Sequence, residues 1–170
     1  IALPGLFVRC SPEQEETIPS PVENMTQDEI EEILEDGNRR LWEEEDHLIN
    51  KYIENQSLNM TATGTGLRYQ IFERGDGPEI EEGMIVLVDF SITLLNGDTC
   101  YSSETTGPEE FIVGMDDVES GLHEGIQQMR VGDRGMLIIP FRLAHGLIGD
   151  QEKIPALSTI IYHIEVIDAI

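Results

Sequence analysis

The segment 114–140, GMDDVESGLHEGIQQMRVGDRGMLIIP, constrains the fold more than any other part of the chain. In its first half apolar residues recur at helical spacing, which predicts a short amphipathic helix from about Val118 to Met129 with one buried face. A glycine-containing turn follows at 131–134, and the apolar run 136–139 predicts a strand. Because the helix face and the strand both need apolar partners, the segment predicts a helix packed on a sheet.

Strands dominate the chain on both sides of this segment. Alternating or β-branched apolar residues predict strands at 67–71, 84–93 and 159–167, and Asn96-Gly97 is a strong signal for a hairpin after the second of these. Antiparallel strands with one helix covering a single face are typical of an α+β domain. We therefore predict a twisted antiparallel sheet wrapped around one short helix.

An acidic helix is predicted before the sheet. Thr26 and Glu29 fit the S/T-x-x-E capping box, and an apolar stripe continues from there to about residue 55. Gly37 interrupts the stripe, which indicates either a kink or two helices. The acidic residues of this region, Glu45 among them, are expected mostly to face water. The apolar stripe needs a partner, which is either its own domain or a second copy of the chain, so a homodimer through 26–56 is one of the two alternatives.

These patterns divide the chain into four predicted parts. They are a signal-sequence remnant and disordered linker at 1–24, the acidic helical extension at 25–56, a polar link at 57–65 and the sheet-forming domain at 66–170. The linker assignment rests on residues 11–24, which are rich in Pro, Ser and Glu and carry too few apolar groups to offset the entropy of ordering.

The first residues suggest a membrane anchor without a membrane span. The apolar run that ends before Cys10 resembles the tail of a bacterial lipoprotein signal sequence, which predicts a lipid anchor and a location in the periplasm or at the outer membrane. Arg9 departs from that pattern, because a small residue is expected there, and an apolar stretch beside a free thiol is an equal alternative. Because no run of about 20 apolar residues occurs, no transmembrane span is predicted.

Charge and cysteine content exclude several functions. The net charge of −24, from 34 acidic and 10 basic residues, has the wrong sign for attraction to nucleic acid phosphates. The acidic runs lack calcium-ligand spacing, and the two cysteines, Cys10 and Cys100, form no zinc or disulfide pattern, so no metal and no cofactor are expected. Cys100 has no Lys, Arg or His beside it in the sequence and is expected to be an inert thiol.

From Gly66 to Ile170 the order of motifs resembles that of the FKBP-type peptidyl-prolyl cis-trans isomerases. The most specific match is G-L-x-E-G-I-x-x-M-x-V-G-x-R, from Gly121 to Arg134. Further matches flank it in the same order, at Gly75-Asp76-Gly77, Val86-x-Val88-Asp89-Phe90, Asn96-Gly97, Ser102-Ser103, Phe111-x-Val113-Gly114, Ile139-Pro140, Ala144-His145-Gly146 and Ile154-Pro155. A bacterial secreted member with a helical N-terminal extension is the nearest general match.

The resemblance implies an isomerase of X-Pro bonds that acts on proline-containing polypeptides at the bacterial envelope. The alternative is a non-catalytic peptide-binding or chaperone module that uses the same cleft and the helical extension. The site residues implied by the resemblance are Phe90, Tyr101, Val118, Glu119, Leu122, His145, Ile154 and Tyr162.

Within this set, several residues keep the character of the family. Phe90 stands for a Tyr, Tyr162 for a Phe of the closing strand, and Val118 and Ile154 keep aliphatic residues. Phe111 keeps its aromatic side chain, although a core role would explain it equally well.

Other positions depart from the family pattern. Leu122 replaces the Trp at the pocket floor, and Glu119 replaces an Ile whose backbone N–H binds the substrate carbonyl. His145 replaces a hydrogen-bonding Tyr, Cys100-Tyr101 replaces a Phe-Asp pair, and Glu109 replaces an aromatic residue. Because carboxylates draw water into a site that works by being dry, we expect weak turnover.

Overall fold

The computed structural model describes residues 25–170, so the predictions for 1–24, including the lipid anchor at Cys10, lie outside the described residues. A boundary between two compact units falls within the first helix, after Arg39. The elements are α1 (Gln27–Gln56), β1 (Thr61–Ala62), β2 (Arg68–Glu73), β3 (Ile85–Leu94), β4 (Thr99–Ser102), α2 (Ser103–Thr106), β5 (Glu109–Ile112), α3 (Ser120–Ile126), β6 (Arg134–Ile139), a 3₁₀ turn (Phe141–Leu143) and β7 (Ile160–Ala169).

Helix α1 begins with the predicted capping box. The Thr26 backbone N–H donates to Glu29 Oε2 at 2.8 Å, and the Glu29 N–H donates to Thr26 Oγ1 at 3.3 Å. The hydrogen bond from the Thr26 backbone also lowers the pKa of the Glu29 carboxyl. The helix is continuous through Gly37, so the alternative of two separate helices is wrong. One glycine costs about 1 kcal/mol in a helix interior, which a helix of 30 residues can absorb.

The strands form a seven-stranded sheet of order β1-β2-β6-β7-β3-β4, with β5 paired to β3. All pairings are antiparallel, and the longest joins β3 to β7, from Val86↔Ala169 to Leu94↔Ile160. The predicted α+β class, with a sheet around a short helix, is confirmed. Helix α3 is shorter than predicted. Val118 lies before it, and Met129 lies in a turn that follows it.

Helix α3 lies on one side of the sheet, which we call the front face. Its Leu122 and Ile126 belong to the main core together with Val86, Ile92, Phe111, Leu137, Ile139, Ile160, Tyr162 and others. Close approach of α3 to β6 depends on two helix glycines. A Cβ on Gly121 would overlap the Ile139 side chain, and a Cβ on Gly125 would lie 2.5 Å from Leu137 Cδ1.

The opposite side, the back face, is covered by the C-terminal half of α1. Ile49 forms a second cluster with Met136, Ile138 and Ile161 of the sheet. Glu45, one helical turn before Ile49, shares its orientation and is only 7% exposed, so the expectation that Glu45 faces water is wrong. Its carboxylate accepts hydrogen bonds at the ends of β6 and β7, which offset the cost of burial.

The Glu45 carboxylate joins α1 to the ends of two strands. Its Oε1 accepts hydrogen bonds from the Phe141 backbone N–H and from Thr159 Oγ1, each at 2.6 Å. Its Oε2 is buried without a hydrogen bond, and Arg142 Nη1 lies 3.8 Å away. Burial raises the pKa of the Glu45 carboxyl, and the two hydrogen bonds oppose that rise only in part.

Candidate active site

A cleft of about 880 Å³ opens on the front face beside α3. Its lining residues include every residue that the sequence predicted for the site except Ile154: Phe90, Tyr101, Val118, Glu119, Leu122, His145 and Tyr162. Ile154 is instead buried in the main core next to the cleft, where its backbone N–H donates to Asp150 Oδ1 at 2.8 Å. The structure thus brings together residues that lie far apart in the sequence.

Three neighbouring strands form the apolar floor of the cleft. On β3, Phe90 and Ile92 point to the same face, because side chains alternate along a strand. Ile92 is paired with Tyr101 of β4 on one side and with Tyr162 of β7 on the other. The rings of Phe90 and Tyr162 lie 5.9 Å apart between centroids at an interplanar angle of 41°. The register of β3 with its two neighbours therefore fixes the aromatic floor.

Helix α3 and the turn before it close one side of this floor. Leu122 of α3 is buried and adds to the apolar floor, and Val118 is half-buried at the edge of the cleft. Among the hydrogen bonds of residues 25–170, none uses the backbone N–H of Glu119. The donor that the family resemblance assigned to the substrate carbonyl is thus present beside the cleft.

The Glu119 carboxylate is tied into the site by two partners. Tyr162 Oη donates to Glu119 Oε2 at 2.9 Å, and His145 Nε2 lies 2.9 Å from Glu119 Oε1. The Glu119 side chain is only 10% exposed. Burial and the nearby Glu119 charge raise the pKa of the Tyr162 hydroxyl, so Tyr162 stays a hydrogen-bond donor. Sequence reasoning missed this network because Glu119 and its partners are remote in the chain.

Tyr101 and Asp150 form a second hydrogen-bonded pair in the cleft lining. Tyr101 Oη donates to Asp150 Oδ2, and Asp150 Oδ1 accepts the backbone N–H groups of Glu152, Lys153 and Ile154 at 2.9, 3.0 and 2.8 Å. Although burial opposes it, these four hydrogen bonds lower the pKa of Asp150 to about 2. The bond to Asp150 raises the pKa of Tyr101 to about 12.

Asp150 was not predicted as a site residue, although its sequence context carries a signal. An Asp followed by polar residues often accepts hydrogen bonds from the backbone just after it, as Asp150 does here. The Lys153 ammonium lies 4.8 Å from the centre of the Tyr101 ring, on the same side of the cleft. The pair therefore holds the 150–154 loop against β4.

Three further carboxylates line the cleft and were not counted among the predicted site residues: Glu109, Glu110 and Asp117. Within residues 25–170 none of the three makes a hydrogen bond or an ion pair through its carboxylate. Burial, and next the negative charge of Glu119, raise the pKa of Glu109. The sequence pointed to Glu109 only as a departure from the family, and the structure adds that it lines the same cleft as Glu119.

Three further properties of the described residues concern metal binding, thiol reactivity and membrane-spanning helices. Within the part of the chain that the structure describes, no three His, Cys, Asp or Glu side chains are arranged to hold a metal ion. Burial raises the pKa of the Cys100 thiol, which disfavours the reactive thiolate. Among the helices of residues 25–170, none combines the length and apolar character needed to cross a membrane.

The family of the chain follows from its match to known proteins. The family of FKBP-type peptidyl-prolyl cis-trans isomerases matches residues 77–167. The chain belongs to the FKBP family. The resemblance seen in the sequence is confirmed, and the matched range contains every site position discussed above.

Relatives of this FKBP domain include bacterial and eukaryotic proteins. The peptidyl-prolyl isomerase FkpA of Escherichia coli K12 is 34% identical over 107 residues, covering 63% of this chain and 39% of FkpA. FK506-binding protein 2 of Dictyostelium discoideum is 41% identical over 81 residues, covering 47% of this chain and 61% of that protein. The chain thus spans about two fifths of the length of E. coli FkpA.

A solved structure supports the same fold. The crystal structure of FkpA from Escherichia coli superposes with a TM-score of 0.63 at 28% sequence identity, and the superposition covers 86% of this chain and 74% of the solved FkpA chain.

Proposed function

We propose that this FKBP domain is a peptidyl-prolyl cis-trans isomerase that acts on proline-containing polypeptides. The observation that carries the proposal is the cleft, where an apolar floor of Phe90, Ile92, Leu122 and Tyr162 lies beside a free backbone donor at Glu119. Family membership and the FkpA relatives support the same activity.

The cleft suits the physical demands of this reaction. Rotation about an X-Pro bond crosses a barrier of roughly 18–20 kcal/mol, because the amide loses its resonance as it twists. The twisted amide has less charge separation than the planar amide, so an apolar floor around the proline ring favours it. A hydrogen bond from the Glu119 N–H to the carbonyl of the peptide would hold the chain while the bond turns. This reaction needs no nucleophile.

The acidic groups in the cleft are the reason to expect weak turnover. His145 Nε2, the donor that would stand in for the family's Tyr, is engaged by Glu119. Leu122 supplies less surface than the Trp of the family, and the pairing of Tyr162 with Glu119 places a carboxylate next to the apolar floor. These features reduce the preference for a desolvated, twisted amide.

The same features favour a second candidate, a peptide-binding module without catalysis. The unpaired carboxylates Glu109, Glu110 and Asp117 border the cleft and would contact an extended segment without assisting rotation. The two candidates differ in one observable, which is whether bound peptide exchanges between cis and trans faster than free peptide.

The decisive experiment is NMR exchange spectroscopy on a short Leu-Pro peptide with and without the protein. We expect faster cis-trans exchange with the wild-type protein and at least tenfold less acceleration with Phe90→Ala, which removes part of the apolar floor. The matched control is Phe72→Ala, which truncates an exposed aromatic residue of β2 outside the cleft and should leave the acceleration unchanged. Binding without acceleration would establish the second candidate.

We further propose that α1 contributes to a homodimer. Large apolar side chains along it are exposed: Ile33, Leu34, Trp42 and Leu48. Exposed apolar surface of this kind is typical of interaction sites. Sedimentation equilibrium should show a dimer for the wild-type protein and a monomer for Leu34→Asp. A monomeric wild-type protein at all concentrations would refute the proposal.

We also propose that the protein acts in the bacterial periplasm or at the outer membrane, anchored by a lipid on Cys10. The apolar run before Cys10 and the bacterial FkpA relatives support this location. The test is metabolic labelling with a radioactive fatty acid. The wild-type protein should carry label and Cys10→Ala should not, and an unlabelled wild-type protein would refute the anchor.

A further inference from the structure

We infer that the cleft selects X-Pro segments with a lysine or arginine next to the proline, and that Glu109 is the main determinant of this preference. The inference rests on the proposed function, because it specifies the substrate class of the same cleft.

Some carboxylates of the cleft have partners within the protein, and others do not. Glu119 is held by Tyr162 and His145, and Asp150 is held by Tyr101 and by the backbone of its own loop. Their charges are therefore partly satisfied within the protein. Glu109, Glu110 and Asp117 have no such partner among the described residues, so their carboxylates can interact with a ligand.

Glu109 is the best placed of the three. It pairs with Val88 across β3 and β5, two residues before the buried Phe111, so its side chain is directed to the front face. Glu109 is solvent-exposed at the border of the cleft, and partial burial and the nearby charge of Glu119 both raise its pKa. A cation placed beside Glu109 would relieve this repulsion, whereas a second carboxylate would add to it.

Among residues 25–170, the lining of the cleft contains no permanent positive charge. None of its lining residues is a lysine or an arginine, and the Nε2 of His145 is engaged by Glu119. The ammonium of Lys153 lies 4.8 Å from the centre of the Tyr101 ring. We therefore expect a bound peptide to place a cation beside Glu109 while its proline occupies the apolar floor.

The test compares peptides of equal length that carry Lys, Leu or Glu directly before the proline, and a second series with these residues directly after it. NMR exchange gives kcat/KM, and chemical-shift titration on the same samples gives binding. In at least one series we expect Lys over Glu by roughly fivefold or more, because ion pairs near a surface contribute up to about this factor each. Salt at about 1 M should reduce the ratio.

Two variants isolate the role of Glu109. Glu109→Gln should lower the Lys-over-Glu ratio by roughly two- to threefold, and Glu109→Lys should invert it. The control, Glu81→Gln, removes the same charge from a position outside the cleft and should keep the wild-type ratio. This control separates a local effect from the net charge of −24.

The outcomes distinguish the inference from the proposed function. Equal rates for all peptides in both series, or an unchanged ratio in Glu109→Gln, would overturn the inference and leave the isomerase in place. If no peptide is accelerated, the isomerase proposal fails, and the titrations decide the inference. Tighter binding of Lys peptides that depends on Glu109 would support it, and equal binding would overturn it.

Discussion

The front and back faces of the sheet each bury a glutamate, and the two glutamates have opposite surroundings. On the front face, both oxygens of Glu119 are engaged, by Tyr162 and by His145, beside an open cleft. On the back face, Glu45 holds the Phe141 N–H and Thr159 through one oxygen, while its other oxygen is buried without a hydrogen bond. Glu119 lines the open cleft, whereas the hydrogen bonds of Glu45 are made inside the domain.

The helices that cover the two faces differ in the same way. Helix α3 approaches β6 closely through the glycines at 121 and 125, so the front face has little room for change along that seam. Helix α1 packs on the back face through side chains such as Ile49. We conclude that the back face stabilises the domain, whereas the front face combines a rigid seam with an open cleft.

The largest expected effect is on stability, from truncation of the back-face carboxylate. Glu45→Ala leaves the Phe141 N–H and the Thr159 hydroxyl unpaired in the interior, which should lower the free energy of unfolding by about 2–4 kcal/mol. Glu119→Ala should cost less than about 1 kcal/mol, because Tyr162 and His145 border a cleft that admits water. Urea unfolding measures both, and equal losses would contradict the contrast between the faces.

The next effect tests the rigid seam of the front face. Gly125→Ala places a Cβ against the buried Leu137 and should lower the free energy of unfolding by about 1–3 kcal/mol. Gly37→Ala is the matched control, because nothing lies within 4 Å of its added Cβ and alanine favours a helix over glycine. The control should be neutral or stabilising by urea unfolding, and a tolerated Gly125→Ala would show that the seam is loose.

The smallest effect is a pH dependence that separates the charge of Glu45 from its hydrogen bonds. Because the folded-state pKa of Glu45 is raised, the folded protein takes up a proton before the unfolded chain does as the pH falls. The wild-type protein should therefore gain stability, relative to Glu45→Gln, as the pH falls from 7 through the raised pKa toward about 4.5. This gain should be the smallest of the three effects on stability. A constant difference between the two proteins across this range would contradict a buried, ionised Glu45.

Much of the fold could be predicted from local patterns. The capping box at Thr26, the strand alternation and the segment 114–140 each depend on neighbours in the sequence. The structure confirms the capping box and the strands, and it confirms the helix of 114–140 at a shorter length than predicted. Glu45 was misjudged for the opposite reason. Its burial depends on Phe141 and Thr159, which lie about a hundred residues further along the chain.

In the site, too, strand residues could be predicted, whereas contacts between distant side chains could not. Phe90 and Tyr162 were predicted from their positions in the family motifs, and both line the cleft. This prediction was possible because the hydrophobic pattern of a sheet determines its register. The pairing of Glu119 with His145 could not be anticipated, since it joins side chains from two separate loops. Ile154 was expected at the cleft but is buried in the core, where its backbone is held by Asp150.

One measurement tests most directly whether the front face does the chemistry and the back face supports the fold. NMR exchange on a Leu-Pro peptide is compared for the wild-type protein, Glu119→Ile/Tyr162→Phe and Glu45→Gln. The double variant removes the carboxylate from the cleft together with its hydroxyl partner, so the drier floor should raise the exchange rate several-fold, while Glu45→Gln should match the wild type. A double variant no faster than the wild-type protein, or an equal change in Glu45→Gln, would contradict this account.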